Sequence, residues 1–165
     1  MKIYVGIDPG FTGGIVAIDD DMNIIEAIRM PVVDIGKKKK WYDENVIRNI
    51  LKHFQDESEY VKAIIEQQHT WPKQGIVATG KLMMGFGLLR GMCVGMGIPY
   101  ITPPPRVWTK TVYSGIIGEG KGRSILACER LFPDVDLTPG KLKKPHHGIA
   151  DAVLLAYYGK IKEIG

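Results

Sequence analysis

VGIDPGFTGG, residues 5–14, runs an apolar segment straight into a carboxylate, then Pro-Gly, then a pair of glycines. Strand residues of this kind bury their side chains, so a charge at Asp8 needs a reason. Asp-Pro-Gly is good turn chemistry in its own right. KIYVGID (2–8) and GGIVAID (13–19) therefore read as two strands joined by a glycine turn. MNIIEAIRMP (22–31) reads as a third strand, reached through the tight DDD connection at 19–21. Three strands in quick succession predict an antiparallel meander, with Asp8 closing its first strand.

Outward from that meander the pattern changes. PVVDIGKKKKW (31–41) reads as a loop ending in a basic run. From 42 to 54, Val46, Ile47, Ile50, Leu51 and Phe54 follow helical spacing. VKAIIEQ (61–67) reads as a fourth strand, again with a carboxylate, Glu66, at its end. A loop, QHTWPKQG (68–75), leads into a long helix over 76–96, where Gly87, Gly91 and Gly95 recur every four residues along one face. Such a stripe lets another backbone pack closely. IPYITPP (98–104) reads as a fifth strand, 106–123 as mixed loop and short helix, and 122–131 and 148–161 as the last two helices. The order predicts an α/β fold: a five-stranded mixed sheet, its first three strands antiparallel, flanked by helices. It is the order expected of an RNase H-like domain.

The length of 165 residues suits one domain, 1–165, with a sizeable core. A hydrophobic fraction of 45% and a charged fraction of 24% are those of an ordinary soluble globular chain. The net charge of +4 permits an anionic partner such as nucleic acid. Cys93 and Cys128 have no CxxC or Cys/His ligand pattern around them and read as buried free thiols in a reducing compartment. The N-terminus enters the strand pattern at once, so no secretory leader is expected. The apolar segment 76–101 is interrupted by Lys81 and Arg90 and diluted by glycine, which argues against a membrane span. A cytoplasmic protein is expected.

Three acids stand out together: Asp8 at the end of the first strand, Glu66 at the end of the fourth, and Asp151 at the start of the last helix in HHGIADAVLLAYY. If strands one and four are parallel neighbours, Asp8 and Glu66 emerge side by side, and the last helix carries Asp151 to the same edge. His147, four residues before Asp151, shares its helix face. Each acid alone has a plain reading, as a turn residue, an exposed strand end or a helix-dipole partner. Clustered carboxylates repel unless cations neutralise them, and hard oxygen ligands suit magnesium, with manganese as a substitute. Two such ions activate water and stabilise the leaving oxygen of a phosphodiester. The glycines after Asp8 would leave room for a nucleic-acid backbone.

On these residues the chain resembles the RuvC-type Holliday junction resolvases of the RNase H-like, retroviral-integrase superfamily, and among them the compact phage- or virus-like members. GIDPG (6–10) and IIEQQ (64–68) are similar to the first two acidic motifs, LLRGMCVGMGIPYITPPPRVWTKTVYSG with GEGKGRS to the middle of the family, and HHGIADAVLLA (146–156) to the last motif. That last motif often carries two carboxylates three residues apart, whereas Gly148 stands three before Asp151 here. The resemblance implies a metal-dependent endonuclease acting on four-way DNA junctions. Its metal ligands would be Asp8, Glu66, Asp151 and His147, with His146 the alternative to His147. Lys110 and Lys121 would serve as basic residues near the scissile phosphate.

Nucleic-acid contacts are expected from Lys37, Lys38, Lys39 and Lys40 beside Trp41, and from Lys73, Arg106 and Arg123. In the resembled family the loop after the second acid carries an aromatic that packs on distorted bases, which makes His69 and Trp71 candidates. A four-way junction has two-fold symmetry, and one acidic cluster makes one nick, so a homodimer is expected. Met83, Met84, Phe86, Leu88 and Leu89 exceed a single face of the 76–96 helix and offer it a surface. Rival readings are a nuclease acting on flaps, other branched DNA or RNA–DNA hybrids; a nucleotide-binding protein, since GIDPGFTGG also resembles the first phosphate loop of the actin and sugar-kinase superfamily; and a non-catalytic junction-binding module. The length is too short for the duplicated kinase fold, and the three acids argue against the last.

Overall fold

The structure is a computed structural model that describes residues 1–37, 39–70, 72–117 and 120–163. Its elements are β1 (Lys2–Asp8), β2 (Gly14–Asp19), β3 (Ile24–Arg29), β4 (Val32–Asp34), β5 (Lys40–Tyr42), α1 (Glu44–Asp56), β6 (Tyr60–Ile65), α2 (Ile76–Gly95), β7 (Tyr100–Ile101), α3 (Pro105–Val112), α4 (Gly120–Leu131) and α5 (His147–Glu163). Five strands form one sheet in the order β3-β2-β1-β6-β7. The first three are antiparallel, as expected, while β6 pairs parallel with β1 and β7 parallel with β6.

β1 lies at the centre, covered on both faces, so its residues from Ile3 to Ile7 are all buried. Strand alternation sorts its side chains. Ile3, Val5 and Ile7 join Ala63 and Ile65 of β6 against α1 and α2, packing on Ile47, Leu51, Phe54, Phe86, Leu89 and Cys93. Tyr4 and Ile64 face the other way, onto α5 and on Trp108, Cys128 and Phe132. Cys93 and Cys128 are both buried free thiols, and burial pushes the Cys93 thiol up to about 11.

Helix α5 is apolar on nearly every side because it is buried on nearly every side, from Gly148 to Gly159. It lies directly on β1, and Gly6 makes that approach fit: a Cβ there would stand 1.9 Å from the Ala152 carbonyl oxygen and 2.5 Å from the Ala156 nitrogen. At its far end Glu163 accepts from Tyr4 Oη at 2.8 Å and Tyr60 Oη at 3.1 Å and pairs with Lys62 at 2.9 Å. Burial alone would raise the Glu163 carboxyl, but these bonds outweigh it and hold the group below its ordinary value.

Several element bounds differ from the sequence expectation. The segment 31–41 is not a loop but a hairpin, β4–β5, whose tip is set by Asp34 Oδ1 accepting from Gly36 N at 2.8 Å and by positive φ at Gly36 and Lys37. β7 keeps only two residues instead of the expected 98–104, since Pro99 and the prolines from Pro103 lack ladder donors. The chain still follows β6 on either side, as Ala63 N donates to Pro99 O and Gln67 N to Pro103 O. The helix expected from 42 starts at Glu44, where Asp43 caps it by accepting from Val46 N at 3.1 Å.

Candidate active site

Sheet register brings the first two acids together. Gly6 pairs with Ile64 and Ile7 with Ile65 across the parallel β1–β6 ladder, and the Glu66 amide extends it by donating to Ile7 O at 3.1 Å. Asp8 and Glu66 are therefore next neighbours at one sheet end. Alternation puts Asp8 on the side of Tyr4 and Gly6, and Glu66 on the side of Ile64, which is the face covered by α5.

α5 arrives there through its N-terminus. Its first turns press on the glycine turn after Asp8: a Cβ on Gly148 would lie 2.3 Å from Thr12 O and 2.6 Å from Gly13 Cα, and one on Gly14 would lie 2.9 Å from Gly148 O. Of the glycines after Asp8, Gly13 and Gly14 are thus taken up by the chain's own backbone rather than by the nucleic-acid backbone their sequence suggests. Gly10 stays in ordinary contact, and its amide donates to Asp8 Oδ1 at 3.3 Å.

The Glu66 carboxylate is held on both oxygens. Trp108, 2% exposed, donates its indole Nε1 to Oε1 at 3.1 Å, and Gln68 Nε2 donates to Oε2 at 3.2 Å. Burial, then the charge of Asp151, nonetheless raises Glu66 above the ordinary carboxylate range, against the opposing pull of those two donors and of His69. Asp151 and Glu66 also act on Tyr113, which burial first, and then Asp151, pushes up to about 12. On the far side of the site, burial and the charge of Asp8 push Tyr42 up to about 12, and its hydroxyl donates to Pro9 O. Glu66 and Asp151 thus share one field, and Asp8 stands beside Glu66 through the sheet register. Among the described residues no three His, Cys, Asp or Glu side chains stand close enough to close on one ion. Half-buried oxygen donors, one of them raised by burial and then by a neighbouring carboxylate, are a donor set that a hard divalent cation relieves.

The two histidines separate by role. His146 Nδ1 accepts from Ile149 N at 3.2 Å, so this ring caps α5. His147, stacked on it at 5.9 Å, opens the helix four residues before Asp151. Burial lowers His146, and His147 and Arg29 add to the effect.

Other expected contacts scatter. His69 and Arg106 come together with Thr70, Pro104 and Pro105 around a cavity of about 450 Å³ beside Glu66. Lys37, Lys39 and Lys40 occupy the tip and arm of the β4–β5 hairpin, and Lys73 is exposed on the loop before α2. Lys110 is exposed on α3, two residues and so roughly 200° around the helix from Trp108, which turns it away from Glu66. Arg123 is engaged internally: its guanidinium lies 4.8 Å from the Tyr113 ring and donates to Ile116 O and Tyr113 O. Trp41 is part of an aromatic cluster with Phe11 and Tyr42. Lys38 and Trp71 lie outside the described residues, as does the side chain of Lys121 in the first turn of α4. Trp108, Gln68 and Tyr113 were missed from sequence. The Glu-Gln-Gln run and the tryptophan after the proline segment were the available signals.

Solved structures match this chain along its length, two of RuvC among them. "T. thermophilus RuvC in complex with Holliday junction substrate" superposes with a TM-score of 0.67 at 17% identity, covering 100% of this chain and 97% of that one. The fold is that of RuvC. "Thermus thermophilus RuvC structure" agrees, with a TM-score of 0.62 at 19% identity, covering 99% of this chain and 96% of that one. No family model and no curated protein matches the sequence. The acidic edge just described therefore sits in a RuvC-type, RNase H-like frame.

Proposed function

We propose that this protein is a structure-selective endonuclease that cuts four-way DNA junctions by metal-dependent phosphodiester hydrolysis. The observation that carries the reading is the delivery of Asp8 and Glu66 to adjacent positions by the parallel β1–β6 register, with Asp151 from α5 in the same field. The RuvC-type fold supports it, and one of the matching structures is described as RuvC bound to a Holliday junction substrate.

Asp8, Glu66, Asp151 and His147 would hold two magnesium ions, with manganese as a substitute. Bound there, the ions supply an activated water and charge stabilisation at the leaving oxygen. The chain's own contribution is orientation. Trp108 and Gln68 fix the Glu66 carboxylate, His146 fixes the start of the helix bearing His147 and Asp151, and the cavity at His69 and Arg106 offers a path for the strand. Lys121 at the start of α4 is assigned to phosphate.

A homodimer would supply the second nick. The outer face of α2 supports it: Val77, Met84 and Val94 are exposed by 72%, 63% and 67%, and a Cβ on Gly80, Gly87, Gly91 or Gly95 would meet nothing within 4 Å among the described residues. The inner face, with Phe86, Leu89 and Cys93, is buried on the sheet. Activity in the cytoplasm of a bacterial or phage-infected cell completes the proposal.

The test is a magnesium-dependent cleavage panel. The expected result is paired, symmetric nicks in a four-way junction and little cutting of linear duplex. Equal or faster cutting of flaps or RNA–DNA hybrids would move the assignment to another RNase H-like nuclease, and no cutting of any substrate would overturn it.

A further inference from the structure

The acidic edge has a second cavity on its other flank, about 570 Å³ in volume, between the glycine turn, the end of β3 and the start of α5. This is within the range of about 300–1,000 Å³ usual for small-ligand sites. Its charged lining is all of one sign: Arg29 and Lys40 border it, with the neutral ring of His146 beside them, and no carboxylate does among the described residues. Its floor is apolar, formed by Phe11, Ile28 and Met30. A cationic rim over an apolar floor suits a ligand that is anionic at one end and flat and apolar at the other.

The walls are fixed before any ligand arrives. Met30, 3% exposed, donates its amide to Gly13 O at 3.0 Å, which ties the end of β3 to the turn. The close approach of Gly148 to Thr12 ties the same turn to α5. Phe11 is held at 4.7 Å from Tyr42. His146 uses Nδ1 to cap α5, so Nε2 carries the ring proton and serves as a donor.

The cavity also has a direct covalent relation to the acids. Phe11 follows Asp8 by three residues, and His146 precedes His147. It lies at the β3 side of the sheet, whereas the His69–Arg106 cavity lies at the β7 side, so the two flank the acidic edge.

Resting on the nuclease reading above, we infer that this cavity seats one nucleotide of the cut strand, next to the scissile phosphate. Its base or sugar lies on Phe11 and Ile28, and its phosphate is gripped by Arg29 and Lys40. The cut strand then runs from the His69–Arg106 side, over the carboxylates, into this seat.

The test uses the full chain and four-way junctions in which one phosphate at a time, around the cut position, is a neutral methylphosphonate. Binding is measured in calcium, so the profile does not depend on cutting. For the wild-type chain, one position beside the scissile phosphate should weaken binding about tenfold, since a charge-assisted phosphate contact is lost. In an Arg29→Gln, Lys40→Gln chain the unmodified junction should bind about tenfold more weakly, and that position should become insensitive. Both side chains are exposed, and thermal unfolding should match the wild type. A double variant with the same methylphosphonate profile as wild type overturns the nucleotide seat and leaves the nuclease reading intact. Failure of the wild-type chain to cut in magnesium, with the coupled profile present in calcium, overturns the nuclease reading alone. No junction binding at all overturns both.

Discussion

Helices α5 and α2 carry nearly the same sequence signal, a long apolar run rich in glycine with little polar interruption, yet they occupy opposite situations. In α5 the glycines are filled: Gly148 touches the turn after Asp8, and a Cβ on Gly159 would stand 2.3 Å from the Ile64 side chain. In α2 only Gly85 is used this way, where a Cβ would stand 2.1 Å from Tyr42 Oη, and the stripe at Gly87, Gly91 and Gly95 faces open space. The comparison separates two causes of one pattern. α5 is apolar all round because the sheet, α3 and α4 surround it. α2 is apolar all round although this chain covers only half of it. It is also long and apolar enough to cross a membrane by length and composition, yet its Phe86, Leu89 and Cys93 are packed into the sheet core. In the homodimer proposed above, a second copy of the chain would cover that half.

Substitutions should break this contrast in a definite order. The largest effect belongs to the seat of α5: Gly6→Ala places a methyl group against helix backbone that cannot yield, destabilising the fold by about 3 kcal/mol or more. Calorimetry should show a Tm lower by roughly 10 °C, or no folded protein. Next is Met84→Glu on the open face of α2, which should weaken self-association more than about tenfold by burying an unpaired charge. Sedimentation reads the loss, and an unchanged subunit Tm shows that the fold itself is untouched.

Smaller is the tether at the far end of α5. Glu163→Gln should cost about 1–2 kcal/mol through its bonds to Lys62, Tyr4 and Tyr60. Because the folded carboxyl is held below its unfolded value of 4.5, its contribution is present above that pH and is lost as pH falls through the folded value. Denaturant titrations at neutral and at acidic pH should therefore show the variant and wild type converging on acidification. Smallest is Gly91→Ala, which should stabilise the isolated subunit by up to about 1 kcal/mol through helix propensity while weakening the dimer. The same change at Gly85 should destabilise, since Tyr42 fills that space.

The sequence carried the sheet and its acids well because both rest on short-range patterns. The apolar runs KIYVGID and AII place Asp8 and Glu66 at strand ends. That the two strands are parallel neighbours, a condition in the sequence reading, comes from the sheet itself. The β4–β5 hairpin was hidden because its strands are three residues each, too short for a period, and its tip depends on positive φ at Lys37, a lysine that announces no turn. Glycine roles were also illegible: spacing shows that Gly87, Gly91 and Gly95 share a face, but only tertiary structure shows that this face is bare and that Gly85 is the packed one. Trp108 is a core residue at 2% exposure; its indole bond to Glu66 crosses 42 positions of sequence and follows from no local rule.

A single labelled four-way junction, offered to wild type, Asp8→Asn and Glu66→Gln, tests most directly whether the acidic edge is where the chemistry happens. Binding is read in calcium and cutting in magnesium on the same samples. All three proteins should bind within about threefold of one another, and both variants should cut at least about a thousandfold more slowly than wild type. Cutting by either variant at near the wild-type rate would contradict the assignment of that edge as the active site.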